Sequence, residues 1–172
     1  MVFPLMTLIQ PLSRTSRTGS IVPLSSFFMM EEDTVKLLRE CDAGVKMGIQ
    51  SIEDVQEKVE NNTFYECLRL CKAEHDKLHD EIQQRLSQCQ DEGKDPPAMA
   101  SMMSKMKTGV MMAMHQDDKT IADLMTDGCN MGVKSLNRYL NQYEAADENS
   151  KDIAKRLIHL ESKLAVDMRP YL

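Results

Sequence analysis

Within CLRLCKAEHDKLHDE, residues 67–81, thiols and imidazoles recur at every fourth position as Cys67, Cys71, His75 and His79. Thiolate and imidazole are the donors that Zn and Cu favour, so the ladder poses a question of soft-metal chemistry. Four residues advance a helix by about 400°, so each rung drifts about 40° and the end rungs diverge by about 120°. One metal ion cannot use all four. Cys71 and His75 fall on the apolar stripe of their helix and form the candidate soft-metal pair, which needs a further donor from another helix. Cys41 and Cys129 are the donors available. The competing reading is packing, with free Cys serving as a small hydrophobe beside a buried imidazole.

A second sulfur-rich stretch, MASMMSKMKTGVMMAMH, is open to the same two readings. Clustered thioethers bind Cu(I), and His115 could assist. Met99, Met103, Met106, Val110 and Met114 also make one helical face, and Met fills irregular gaps and adaptable partner surfaces. No further Cys accompanies this segment, which favours packing, self-association or a protein partner over a metal.

The elements that must carry these residues are helices. The chain has fifteen Met, no Trp, four Phe, four Tyr and seven Gly, a composition poor in strand formers. A first helix is expected from a cap at Asp33 to about Val59, with Val35, Leu38, Val45, Ile49, Ile52 and Val59 inward. A second is expected to open with the capping box Thr63-Phe64-Tyr65-Glu66. Its stripe is Phe64, Leu68, Cys71, His75, Leu78, Ile82 and Leu86, and CQDEGKDPP ends it. Asp95 and Pro96 can start a short crossover helix over about 96–114. A third helix follows over about 119–145, with Ile121, Met125, Cys129, Val133, Leu136, Leu140 and Tyr143 inward. Asn149 or Ser150 is expected to cap a fourth, with Ile153, Leu157, Leu160, Leu164 and Met168 inward. Residues 1–28 contain no acidic residue and three prolines, and read as an N-terminal extension outside a helical domain at 29–172.

ECDAGVKMGI and GCNMGVKSLN share the pattern C-[DN]-x-G-V-K, which aligns Cys41 with Cys129 and Gly44 with Gly132. Mid-helix glycine costs about 1 kcal/mol relative to Ala. The repeat therefore predicts that the first and third helices approach closely near Gly44 and Gly132, about a pseudo-twofold axis.

A net charge of −6 disfavours partners that need phosphate neutralisation, so no nucleic-acid role is expected. No apolar run is long enough to span a bilayer. Five Cys without paired spacing argue against a disulfide framework and for a reducing cytoplasm.

Two helical hairpins joined by a crossover between the second and third helices resemble the ferritin-like four-helix bundle. AEHDKLH is similar to the Glu-x-x-His helix of rubrerythrin-type proteins, with Asp76 and His79 at the ligand positions. The whole pattern is most similar to uncharacterised ferritin-like domains of bacteria, a family without an established reaction. That resemblance implies a candidate hard-metal site for Fe or Mn at Asp42, Asp76, His79 and Glu161. A di-metal site of this fold draws a carboxylate from each of two helices and Glu-x-x-His from each of the others. Here Leu164 stands where a second His would follow Glu161, and Asn130 matches Asp42 in the repeat. The ligand set is incomplete. The expectation is a binding or interaction module without catalysis. The alternative is a metal-binding or storage protein using either the carboxylate–histidine residues or the Cys, His and Met donors.

Overall fold

The computed structural model describes residues 24–96 and 117–172. Among these residues the fold is all-α: α1 (Leu24–Gln56), α2 (Asn62–Gln88), α3 (Asp118–Gln142) and α4 (Glu148–Asp167), then a 3-10 turn at Arg169–Tyr171. No described helix is long and apolar enough to cross a membrane. The expected crossover helix beyond Pro96, with its Met residues and His115, lies outside the described residues, as does most of the expected extension.

The helices form where expected, but three of their starts differ. α1 begins at Leu24, so Asp33 lies inside it and is no cap; its carboxylate instead accepts from the Ala145 N–H at 3.1 Å. α2 is capped by Asn61, whose Oδ1 accepts from Thr63 N at 2.9 Å and Phe64 N at 3.0 Å. Asn is a strong cap and here meets two of the otherwise unpaired N–H groups, so no capping box forms and Glu66 pairs with Arg69. α4 is capped by Asp147, which accepts from the Ser150 N–H at 2.7 Å. α2 closes in a Schellman turn: Asp91 N donates to Leu86 O at 2.9 Å and Gln90 N to Ser87 O at 3.0 Å, with Gln90 at φ 56°.

Contacts at the helix ends fix their directions. Asp118, at the start of α3, accepts from Glu60 N and Asn61 N at 2.9 Å, beside the α1–α2 turn. At the other end the α3–α4 turn meets the N-terminal half of α1, where Asp147 N donates to Thr34 Oγ1 at 2.8 Å. Asp147 also pairs with Arg85 near the end of α2. Hence α2 and α3 run parallel, α1 and α4 run opposite to them, and α2 ends far from where α3 begins. α1 packs on α2 and α3 on α4; across the hairpins, α1 touches both α3 and α4, and α2 touches α4.

The core divides along the bundle axis. Toward the α3–α4 turn lie Leu37, Leu38, Cys41, Val45, Leu78, Ile82, Leu86, Leu136, Ile153 and Leu157. Toward the α1–α2 turn lie Ile52, Val55, Phe64, Leu68, Cys71, Ile121, Met125, Cys129, Leu164 and Met168. The Tyr171 ring stacks on Phe64 there, with centroids 4.4 Å apart. The repeat cysteines thus serve opposite halves, one each.

The expected backbone seam at Gly44 and Gly132 is not what the structure contains. A Cβ on Gly44 would meet the Leu157 and Leu136 side chains at 3.7 and 3.9 Å, and one on Gly132 would meet the Glu161 side chain at 3.5 Å. These are ordinary contacts with side chains, not close approaches of backbone. Gly128 has open space before it. The loop glycine is the constrained one. Gly93 has φ 84°, and a Cβ there would fall onto the Asp42 carboxylate.

Two substitutions separate these environments. Gly93→Ala is expected to lose at least about 1 kcal/mol from the left-handed backbone alone. Gly128→Ala should instead gain about 1 kcal/mol from helix propensity. Denaturant melts of the two variants beside the parent protein check both signs.

Candidate functional site

Between the two halves of the core lies one polar layer, to which each helix contributes one position. α2 supplies His75, one turn from Cys71 and Leu78 on the same stripe, and it is 0% exposed. α4 supplies Glu161, one turn from Leu157 and Leu164, at 8% exposed. α1 and α3 supply Gly48 and Gly132. A Cβ on Gly48 would lie 2.6 Å from His75 Nε2 and 3.3 Å from Glu161 Oε1. The imidazole therefore occupies the space that a side chain on α1 would fill.

Both ring nitrogens face acceptors. Nδ1 lies 2.9 Å from the Cys71 carbonyl, and Nε2 lies 3.1 Å from Glu161 Oε1. Nδ1 must carry a proton to bond a carbonyl, and a second proton must lie between Nε2 and Oε1. The arrangement is an imidazolium–carboxylate pair with no net charge, buried between apolar clusters. Burial alone would lower the imidazole pKa; the contacts with Cys71 and Glu161 outweigh it and raise the pKa to about 10.

Sulfur borders this layer. Cys71 Sγ is 3.6 Å from His75 Nδ1. Burial, and then the Glu161 carboxylate, push the Cys129 thiol well above its ordinary range. Burial, with Glu40 and Asp42 adding, pushes Cys41 up to about 12. These two remain thiols at neutral pH, neither nucleophiles nor ready metal ligands.

The other residues singled out by sequence lie elsewhere. His79 follows His75 by one turn plus the 40° drift, which turns it toward α1. There its Nε2 lies 3.5 Å from Asp42 Oδ1 and 3.3 Å from Gln83 Nε2. Asp42 is wholly buried and fully engaged: it accepts from Gln83 at 2.6 Å and Lys94 N at 2.9 Å, and pairs with Lys46 at 3.0 Å. Asp76 sits on the rim, its side chain 49% exposed and paired with Lys72 at 3.1 Å. The structure thus places Asp42 with His79, Glu161 with His75, and Asp76 apart from both. Cys71 and His75 do adjoin, but Cys41 serves the far half of the core. Among the described residues, no group of three or more His, Cys, Asp or Glu side chains is arranged to hold a metal ion.

Sequence reasoning did not find the His75–Glu161 contact or the part played by Gly48. A signal existed. Glu161 lies four residues after Leu157 and three before Leu164, so a carboxylate occupies a core position. Gly48 holds the matching place between Val45 and Ile52 in α1.

Outside the core, a groove of about 590 Å³ runs between α1 and α2, lined among others by Ile49, Glu53, Lys72, Asp76, His79 and Pro96. Its charges satisfy one another, Lys72 with Glu53 at 3.2 Å and Lys46 with Asp95 at 3.2 Å. Most of its lining side chains are polar or charged, with Ile49 and Pro96 the apolar ones.

Two measurements test the layer. The pKa of His75 is higher folded than the 6.5 of a free imidazole. Its stabilisation is therefore complete below about pH 6.5 and is lost as pH rises toward 10. The one-proton limit is about 1.4 kcal/mol per pH unit. Urea melts between pH 7 and about 8.5, below the range in which unfolded thiols ionise, should show this fall, and His75→Gln should flatten it there. Gly48→Ala should cost about 1–3 kcal/mol by overpacking, because the ring it displaces is held at both nitrogens. Gly44→Ala, with room for its Cβ, should not.

Comparison of the chain with family models, curated proteins and solved structures returned no match, so its chemistry rests on this geometry.

Proposed function

We propose that the chain is a ferritin-like helical bundle that acts by binding rather than catalysis. It would be an interaction module for a protein partner or a second copy, working in a reducing cytoplasm. The helix order supports the fold reading, because parallel α2 and α3 with one long connection between them is how ferritin-like bundles are joined. Five free cysteines accord with a reducing compartment.

The observation that carries the functional reading is the composition of the polar layer. A di-metal bundle turns carboxylates inward from two helices and Glu-x-x-His from the other two. In this protein α1 and α3 contribute Gly48 and Gly132 at the polar layer, while His75 and Glu161 satisfy each other. Asp42, the remaining buried carboxylate, is held by Gln83, Lys46 and the Lys94 N–H. The residues present do not fit a pair of hard cations such as Fe or Mn.

One observation favours a second reading. Cys71 Sγ lies 3.6 Å from His75 Nδ1, and Cys129 of α3 shares a core cluster with Cys71, which puts sulfur from two helices on one side of the imidazole. A single Zn or Cu ion is the metal such donors would take, by displacing the proton that burial holds on the Cys129 thiol.

Elemental analysis of protein purified without chelator or affinity tag decides between them. The expected result is no stoichiometric Fe, Mn, Zn or Cu and no acceleration of Fe(II) oxidation. Stoichiometric Zn or Cu that disappears in Cys129→Ser would establish the second reading. Rapid iron oxidation at two metals per chain would replace both with an enzyme.

A further inference from the structure

We propose that the contact between His75 and Glu161 sets the register in which the two hairpins close on each other. The contact crosses from α2 in one hairpin to α4 in the other, and it is buried on both sides. The halves above and below it are both apolar, one rich in Leu and the other mixing Leu and Ile with Phe64, Met125 and Met168. A slip of one helical turn, about 5.4 Å, would still set apolar side chains against one another at most levels, for instance Ile153 for Leu157 or Leu164 for Met168 in α4. Apolar burial alone therefore distinguishes the registers weakly.

The polar layer distinguishes them strongly. After such a slip Leu157 or Leu164 would face His75, and Glu161 would face Cys71 or Leu78. A carboxylate and an imidazolium would then each be buried without the other, the most costly arrangement for such groups. Gly48 adds a steric key, since its missing Cβ leaves room for the ring at one level of α1. The bonds at the bundle ends, Asp118 to Glu60 and Thr34 to Asp147, also favour this register. They are exposed or half-buried, so water can replace them. Water cannot replace the central pair.

A buried ion pair adds little net stability over apolar residues of similar volume, but a buried polar group can select one pairing among several. The test is the double variant His75→Leu/Glu161→Met, which removes the charges and keeps the bulk. It should stay helical and melt no lower than the parent. Its amide ¹H–¹⁵N spectrum should show more than one resonance set, or light scattering should show dimers formed by exchanged hairpins. His75→Gln/Glu161→Gln keeps a hydrogen bond across the layer and should restore a single monomeric set. A single sharp set from the Leu/Met variant would overturn the proposal, since register would then be fixed without the pair. Unfolding of that variant would overturn it too, by showing that the pair supplies stability. Heterogeneity in the Gln/Gln variant would place the effect in packing and likewise sink it.

Discussion

The imidazole of His75 stands where α1 has no side chain, and most of the bundle interior follows from that placement. A protonated ring in an apolar core needs an acceptor at each nitrogen. One is the Cys71 carbonyl on its own helix; the other is Glu161 on the opposite hairpin. The ring reaches Glu161 only because Gly48 leaves it room, at a cost to α1 of about 1 kcal/mol in helix propensity. Four helices meet in one layer, two giving up side chains and two contributing the charges.

A second buried carboxylate does a different task by the same chemistry. Asp42 binds along a single hairpin: Gln83 from α2, Lys46 from its own helix and the Lys94 N–H from the loop after α2. That loop passes along α1 in the direction of the helix, Asp91 meeting Arg39, Lys94 meeting Glu40, and Asp95 meeting Lys46. Gly93 takes a positive φ so that the carboxylate can lie against the backbone. Asp42 ties a connection to its helix, whereas His75 and Glu161 tie one hairpin to the other.

The helical stripes were legible because burial repeats with the turn of the helix. Every member of the α2 stripe, from Phe64 through His75 to Leu86, is buried as its spacing required. The α4 stripe was also sound, although Leu160 is only partly buried. Caps were harder to read, because neighbouring Asn61 and Thr63, or Asp147 and Ser150, offer equivalent oxygens, and the turn geometry chooses. The glycines showed the limit more clearly. Spacing located Gly44 and Gly132 but could not say what would fill the space beside them. Position also could not pair His75 with Glu161, which lie 86 residues apart. The ladder from Cys67 to His79 resolved as helical drift demands: His75 in the core, His79 turned toward Asp42.

The absence of an inward set of donors among the described residues and the presence of a neutral central pair are one physical fact. A metal-binding bundle keeps its interior charges unsatisfied by protein, so that a cation completes them. Here the buried charges already have protein partners, His75 with Glu161 and Asp42 with Lys46. Two glycines bring the partners together, and a carboxylate in either place would unbalance the pair. The layer joins α2 of one hairpin to α4 of the other through a satisfied pair of charges. On the outer surface the α1–α2 groove presents paired charges beside Ile49 and Pro96. Paired charges cancel their field at a distance, so this surface carries little net charge of either sign along the groove.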